Sequence, residues 1–424
     1  MATRKPRLLS PLLLWFMGTA ILANIAAQMI FPLESLYVQE LGANVEQVGL
    51  FFTIAAVAPL LFQLFGGWLS DSIGRLKAIA IGSIGGVVSY LFYLFAQSWL
   101  WLLPASVLTA MAIAFVAPSF QAFIAEESSE ETRGRVYGMT STLFMVVNIV
   151  GPLVGGAIAQ GLSFRAMYLV AGCLYAAAAA IRVAMAYYAG RQKKEAGEPP
   201  GRPSFAGFRT SLLAVFGLIA AGGVVTWIFV SDGVRDFAFN LTGRLMPLYL
   251  ENEMGLSLLQ ISALQSIMGV VAMALLSPAG WLSDKKGERV SIVAGFGLIA
   301  AGWSVFLLGA NFWHFVLSRV VIGAGWALID PAYNSLISKV VPPRLRGMAF
   351  GLFATSLGLI SLPAPWIGAG LWEAVSPIFP FYIPLVAMVL LLPIMWKKFK
   401  LPANGQEGRT GTGRPAVDSA AERP

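Results

Sequence analysis

The sequence predicts an all-α membrane protein, with twelve transmembrane helices in two pseudo-symmetric six-helix bundles. Three observations lead there. The 424 residues are 57% hydrophobic and 12% charged, with a mean hydropathy of +0.74, whereas soluble domains carry about 25% charge. Apolar runs of about 20 residues recur, each long enough to cross a bilayer. One polar junction, Gly66-Gly67-Trp68-Leu69-Ser70-Asp71-Ser72-Ile73-Gly74-Arg75, returns much later as Gly280-Trp281-Leu282-Ser283-Asp284-Lys285-Lys286-Gly287. The shift, 284 − 71 = 213, is about half the chain.

The spans read, in order, at 11–38, 45–70, 78–97, 99–124, 136–161, 165–189, 226–250, 257–283, 290–309, 312–337, 347–371 and 377–396. The first is expected to be a true span and not a cleavable leader, because its apolar stretch runs on to Gln28, Pro32 and Glu34 without a small-residue cleavage site. Bases orient the set. If both termini face the cytoplasm, Arg75, Lys77, Arg133, Arg135, the bases of 191–209, Lys285, Lys286, Arg289, Lys339, Arg344, Arg346, Lys397 and Lys398 all fall inside, and only Arg165 falls outside. That is the positive-inside pattern of a plasma-membrane protein. It also accounts for the net charge of +8; no basic groove or stacking motif accompanies the charge, so nucleic acid is not an expected partner.

The repeat extends beyond its opening stretch. At the same shift Gly42 meets Gly255, Pro118 meets Pro331, Arg133-Gly134 meets Arg346-Gly347, Gly138 meets Gly351, Pro152 meets Pro365 and Gly155 meets Gly368. Residues 1–190 and 226–400 are therefore read as the two halves, 191–225 as a cytoplasmic linker, and 401–424 as a disordered tail. The apolar stretch 210–224 lies along the inner membrane face, or it begins span seven and leaves 232–256 as an outer loop; the repeat favours the first assignment. Two six-helix units in parallel arrangement are a transporter signature, with the site near the midplane between them.

On these motifs the chain resembles the major facilitator superfamily. The family's loop pattern is matched by Gly67, Asp71, Gly74 and Arg75, with Ser72 and Leu76 where bases are usual. Its second copy is matched by Gly280, Asp284, Lys285 and Gly287, with Glu288 in place of the arginine. The resemblance implies a gate on the cytoplasmic side, latched by Asp71 and the Asp284 loop. Span five carries Gly151, Pro152, Gly155 and Gly156, similar to the exporter-associated Gly-Pro-x-x-Gly-Gly pattern, although Val147 replaces a glycine. The arginine that proton-coupled exporters of the family carry early in span four is missing near Ser106, while span ten has Arg319.

Charges inside spans are costly and so point to function or to a partner. Asp232, Asp236 and Asn240 recur at helical spacing on span seven, and Arg235 can pair with Asp232 at i, i+3. Under the second assignment of 210–224 they are solvated instead. Arg319 and Asp330 on span ten and Asn24 with Gln28 on span one complete the substrate or ion candidates, Arg319 alternatively snorkelling or pairing structurally; Gln121 and Asn148 are weaker ones. Arg182 is read as reaching for the inner interface from span six, and Trp99, Trp101 and Trp313 as interfacial anchors.

With one histidine, His314, and one cysteine, Cys173, no catalytic triad, zinc site or intrachain disulfide is expected. No phosphate-cradling Gly-x-x-x-x-Gly-Lys-Ser/Thr loop is present. Neither an enzymatic activity nor a cofactor is expected. The reading is a monomeric secondary transporter working by alternating access, exporting a small, partly apolar compound, with a proton or sodium ion as coupling partner. The alternatives are an importer of a polar metabolite and, more remotely, a non-transporting receptor or sensor.

Overall fold

The computed structural model describes residues 11–62, 73–192, 223–341 and 358–399. Gly67 and Asp71, most of the 210–224 stretch, the linker from 193, the first part of span eleven and the 401–424 tail lie outside the described residues. Those described form helices and turns, with no strand among them. The first half supplies α1 (Pro11–Ile30), α2 (Glu34–Glu40), α3 (Val45–Ala55, continuing past a turn at Ala56 to Phe62), α4 (Arg75–Phe95), α5 (Leu102–Glu127), α6 (Glu130–Gly161) and α7 (Phe164–Gln192). The second half supplies α8 (Val224–Gly243), α9 (Leu258–Lys286), α10 (Glu288–Leu307), α11 (Phe312–Val340), α12 (Ala364–Ala374) and α13 (Tyr382–Lys398).

Among the described residues ten helical segments are long and apolar enough to cross a membrane. They match ten of the twelve expected spans. The seventh, α8, is 20 residues long but carries Asp232, Arg235 and Asp236; the eleventh is described only from 358 onward. Two expectations are corrected. Span one is not continuous over 11–38: α1 stops at Ile30 and α2 restarts at Glu34, where Pro32 removes a backbone donor. Span seven breaks the same way, ending at Gly243 and giving way to a short turn at Met246–Leu248 and a π-turn at Tyr249–Glu253 around Pro247. Because 224–243 is helical, the assignment of 232–256 to an outer loop is also overturned.

The sequence repeat is a repeat of local conformation. Gly42 and Gly255 both take positive φ, as do Gly74 and Gly287, a region where a Cβ would be strained. Asn44 and Gln47 form a capping box at the start of α3, and Ser257 with Gln260 form the same box at the start of α9. Each of these pairs is 213 residues apart.

The helices of each half pack mainly on one another: α4 on α5 and α7, and α1 on α6 and α7, in the first; α11 on α9 and α10, and α13 on α8 and α10, in the second. The main bridges between the halves are α6 with α9 and α3 with α12, joined by α2 against the Met246–Leu248 turn. Small residues allow these approaches, as in other membrane bundles. A methyl group added at Gly155 would overlap the backbone of Met29 on α1, and one at Gly368 the backbone of Leu241 on α8. Between the halves, a methyl at Gly49 would strike Ala369 and Pro365, and one at Gly156 would strike Ser262. Residues 49 and 262 are repeat equivalents, and so are 156 and 369, so one contact is made twice.

Overpacking such a contact costs about 1–3 kcal/mol. Gly155→Ala is therefore expected to lower the melting temperature of the purified protein. Gly138→Ala on the same helix, where a methyl meets open space, should leave it unchanged or raise it slightly. Equal melting temperatures for the two variants would remove the close approach at Gly155 as a constraint.

Candidate functional site

Two features lie along α8 and α11: a cavity lined from both halves, and beside it a cluster of charges. The cavity encloses about 430 Å³. Phe31, Pro32 and Ser35 come from the first half; the remaining lining residues belong to the second and include Phe239, Asn240, Gln265, Trp303, Arg319 and Trp326. It sits just inside the α1–α2 break and the corresponding break after α8, so the two proline-containing turns form part of its wall.

The end of the bundle carrying α2 is closed over the cavity by bonds between the halves. Arg244, four residues after Asn240, reaches Glu34 at 3.0 Å and lies over the rings of Phe31 and Phe52. Asn252 donates to Gln39 at 3.2 Å. These two residues are repeat equivalents, 213 apart, so the pseudo-twofold axis passes between them. Gln160 on α6 accepts from the Leu259 backbone at the start of α9, and Ser266 donates to the Ile149 carbonyl. Burial pushes the Glu40 and Glu251 carboxyls up, and the Glu40 charge raises Glu251 further, while Arg165 pulls Glu40 back down.

The charge cluster lies deeper along the same two helices. Arg235 approaches Asp232 to 2.9 Å and Asp236 to 3.4 Å, and stacks over the rings of Trp326 and Tyr333. The contact to Asp232 is off-line, leaving Asp232 Oδ1 and Arg235 Nε without a hydrogen bond. Tyr333 and Ser231 share a hydrogen bond at 3.0 Å. Asp330 is accessible and feels the charge of Arg235. Two carboxylates thus contact one guanidinium, and a third, Asp330, lies within its electrostatic reach. The chain has a surplus of negative charge here, in a setting where isolated charge is expensive.

Of the other expected residues, Asn240 lines the cavity and donates to the Asp236 carbonyl. Asn24 is turned to its own helix, donating to the Ala20 carbonyl, and Gln28 packs against Gly151. Gly151, Gly155 and Gly156 serve close helix contacts, and neither they nor Pro152 line the cavity. Gly74 and Gly287 begin α4 and α10 at the end opposite α2, with Arg75 the first residue of α4. Gly280, Asp284 and Lys285 fall within α9, and Lys285 lies over the Trp281 ring. Glu288 accepts from Ser335 and Lys339, tying α10 to the end of α11. At the equivalent positions of the sequence the first half has Arg75 and Glu126, the charge signs exchanged.

Arg182 corrects its reading. It does not reach for the interface: it is buried and donates to Thr19 Oγ1, the Thr19 carbonyl and Ser83 Oγ. Glu34, Gln265, Trp303 and Trp326 were not singled out by the sequence. The mid-span positions of the two tryptophans were the available signal, since interfacial anchors sit at span ends.

A bundle of membrane helices with a repeated helix-break, an internal cavity and a sealed end defines the class, a multi-pass membrane transporter. The model of the Major Facilitator Superfamily matches residues 16–243 and again 228–421. The chain belongs to that superfamily. It is 26% identical over 332 residues to the multi-drug resistance efflux pump PmrA of Streptococcus pneumoniae, covering 76% of this chain and 79% of that one. It is 23% identical to the quinolone resistance protein NorA of Staphylococcus aureus, covering 86% and 91%. Among solved structures, a bacterial homologue of the iron transporter ferroportin in its inward-facing state aligns with a TM-score of 0.74 at 12% identity, over 92% of this chain and 98% of that one. A D-xylose-proton symporter aligns at 0.66 and 16%, over 91% and 97%. These likenesses establish the fold.

A partly exposed ion pair is worth about 1 kcal/mol, roughly a fivefold change in a two-state population. With Cys173 replaced by serine, spin labels at the exposed positions Leu162 and Leu308 report the separation of the halves at the α2 end. Glu34→Gln is expected to shift the distance distribution toward longer values about fivefold. Raising the pH should act in the same direction, because the raised carboxyls of Glu40 and Glu251 favour closure when protonated and oppose it when ionised. A distribution insensitive to Glu34→Gln would show that the pair does not hold this end shut.

Proposed function

We propose that this protein is a secondary transporter that works by alternating access and exports a small, partly apolar compound. The cavity carries the reading. It has aromatic walls, draws on both halves and is sealed at one end by bonds that the halves must break to rock apart. The efflux pumps PmrA and NorA among its relatives favour export. In this reading twelve spans place both termini in the cytoplasm of a monomer in the plasma membrane, residues 1–190 and 226–400 move as the two halves, and Asp71 with the Asp284 loop latches the cytoplasmic side.

The α8–α11 cluster is the coupling site of this proposal. Asp232, Asp236 and Asp330 hold one charge more than neutrality when a single proton or sodium ion joins Arg235, so the occupancy of the cluster alters how strongly the two helices bind each other. That is the differential interaction a driving ion needs. Import of a polar metabolite is the alternative, which the direction of flux decides.

The test is flux in proteoliposomes of known orientation, with a panel of apolar dyes and an imposed pH or sodium gradient. Gradient-dependent movement is expected. Saturable binding of a dye without any movement would indicate a receptor and overturn the proposal. Asp236→Asn is expected to shift or flatten the pH dependence of transport while leaving a residual rate; an unaltered profile would retire Asp236 as a proton site.

A further inference from the structure

Arg319 stands apart from every other buried cation described. Its residue is 8% exposed, it lies mid-bundle on α11, and its side chain forms part of the cavity wall. Among the described residues it has no hydrogen bond and no ion pair, whereas Arg182 bonds to Thr19 and Ser83, Arg235 pairs with Asp232 and Asp236, and Arg244 pairs with Glu34. No acidic residue lines the cavity. The nearest acid on the same helix, Asp330, lies eleven residues on, roughly 16 Å along the axis at 1.5 Å per residue. A guanidinium that opens only on a largely apolar cavity, without a protein partner, is expensive to keep. It persists where a ligand supplies the missing charge.

We infer that Arg319 is a substrate-binding residue and that the substrate class is an amphipathic organic anion: an aryl carboxylate, sulfonate or phosphate ester. The inference rests on the transporter reading above and narrows its cargo. The planar fork of arginine takes a carboxylate or a sulfonate in two parallel hydrogen bonds. Trp303, Trp326 and Phe239 wall the same space with ring surface for the apolar body, and the amides of Asn240 and Gln265 are placed to bond a further polar substituent. Repeat symmetry marks the residue as a departure: the equivalent position in the first half is Ser106, which is turned to its own Leu103 carbonyl.

The experiment is a thermal-unfolding screen of the purified full-length chain against matched triplets. One triplet is 2-naphthoate, 2-naphthylmethanol and 2-naphthylmethylammonium; a second is naphthalene-2-sulfonate with its neutral and cationic counterparts. The wild type is expected to be stabilised most by the anions. Arg319→Gln should weaken the apparent affinity for the anions at least tenfold, leave the neutral compounds unchanged, and unfold without ligand at a temperature no lower than the wild type. Arg319→Lys should retain part of the anion response. The inference is overturned if no anion stabilises the wild type beyond its neutral partner, if Arg319→Gln responds to anions as the wild type does, or if Arg319→Gln unfolds many degrees lower without ligand, which would reveal a structural partner. Transport of neutral or cationic dyes by proteoliposomes would survive any of these failures, so the two readings fail separately.

Discussion

The close approach of the two halves at Gly49 with Ala369, and at Gly156 with Ser262, is the constraint on which the rest depends. In a bilayer, association between helices gains little from burying apolar surface, because lipid is as apolar as leucine. What remains is short-range packing and hydrogen bonding, and both need backbones that can come near. Small side chains at these four positions bring α3 to α12 and α6 to α9. Once there, Ser266 reaches the Ile149 carbonyl and the Trp366 backbone reaches Thr53. Positions 53 and 266 are again repeat equivalents. The cavity exists because the seam is tight along these two pairs while the paired breaks after α1 and α8 bend the chain around an open space.

Much of this was legible in the sequence, because the features that set helix number and direction are local. Apolar run length, the Gly74 and Gly287 turns, the capping residues at Asn44 and Ser257, and the 213-residue shift each act within a few residues or repeat outright. The breaks near Pro32 and Pro247 were less legible, since a proline near a span end can either cap it or split it. The partners of buried charges were hardly legible at all. Arg235 with Asp232 was readable from its i, i+3 spacing. Arg244 with Glu34 spans 210 residues, and nothing local announces it. Arg182 reads like a side chain near an interface until Thr19 and Ser83 are seen to surround it.

The scaffold is duplicated but its charges are not. Asp232 has Thr19 as its repeat equivalent, Arg235 has Leu22, Asp236 has Ala23, Asp330 has Ala117 and Tyr333 has Phe120. Arg182 in turn has Met395, which is fully buried. A symmetric set of charges would give two equivalent clusters competing for one ion and one cargo. Among the described residues the asymmetry leaves the acidic cluster of α8 and α11 and the unpartnered Arg319 without counterparts in the first half, with Arg319 on a cavity lined from both halves. Thr19 is instructive. Where the second half places a carboxylate against an arginine of its own helix, the first half places a hydroxyl and a carbonyl against an arginine from α7. Those bonds satisfy Arg182 within one half, so it has no stake in which way the halves are tilted. The acidic cluster of α8 and α11 is likewise paired within its own half, whereas Arg319 opens on the cavity that Phe31, Pro32 and Ser35 of the first half help to line. Duplication supplied a seam with two matching sides, and divergence placed the acidic cluster and the unpartnered Arg319 on one of them.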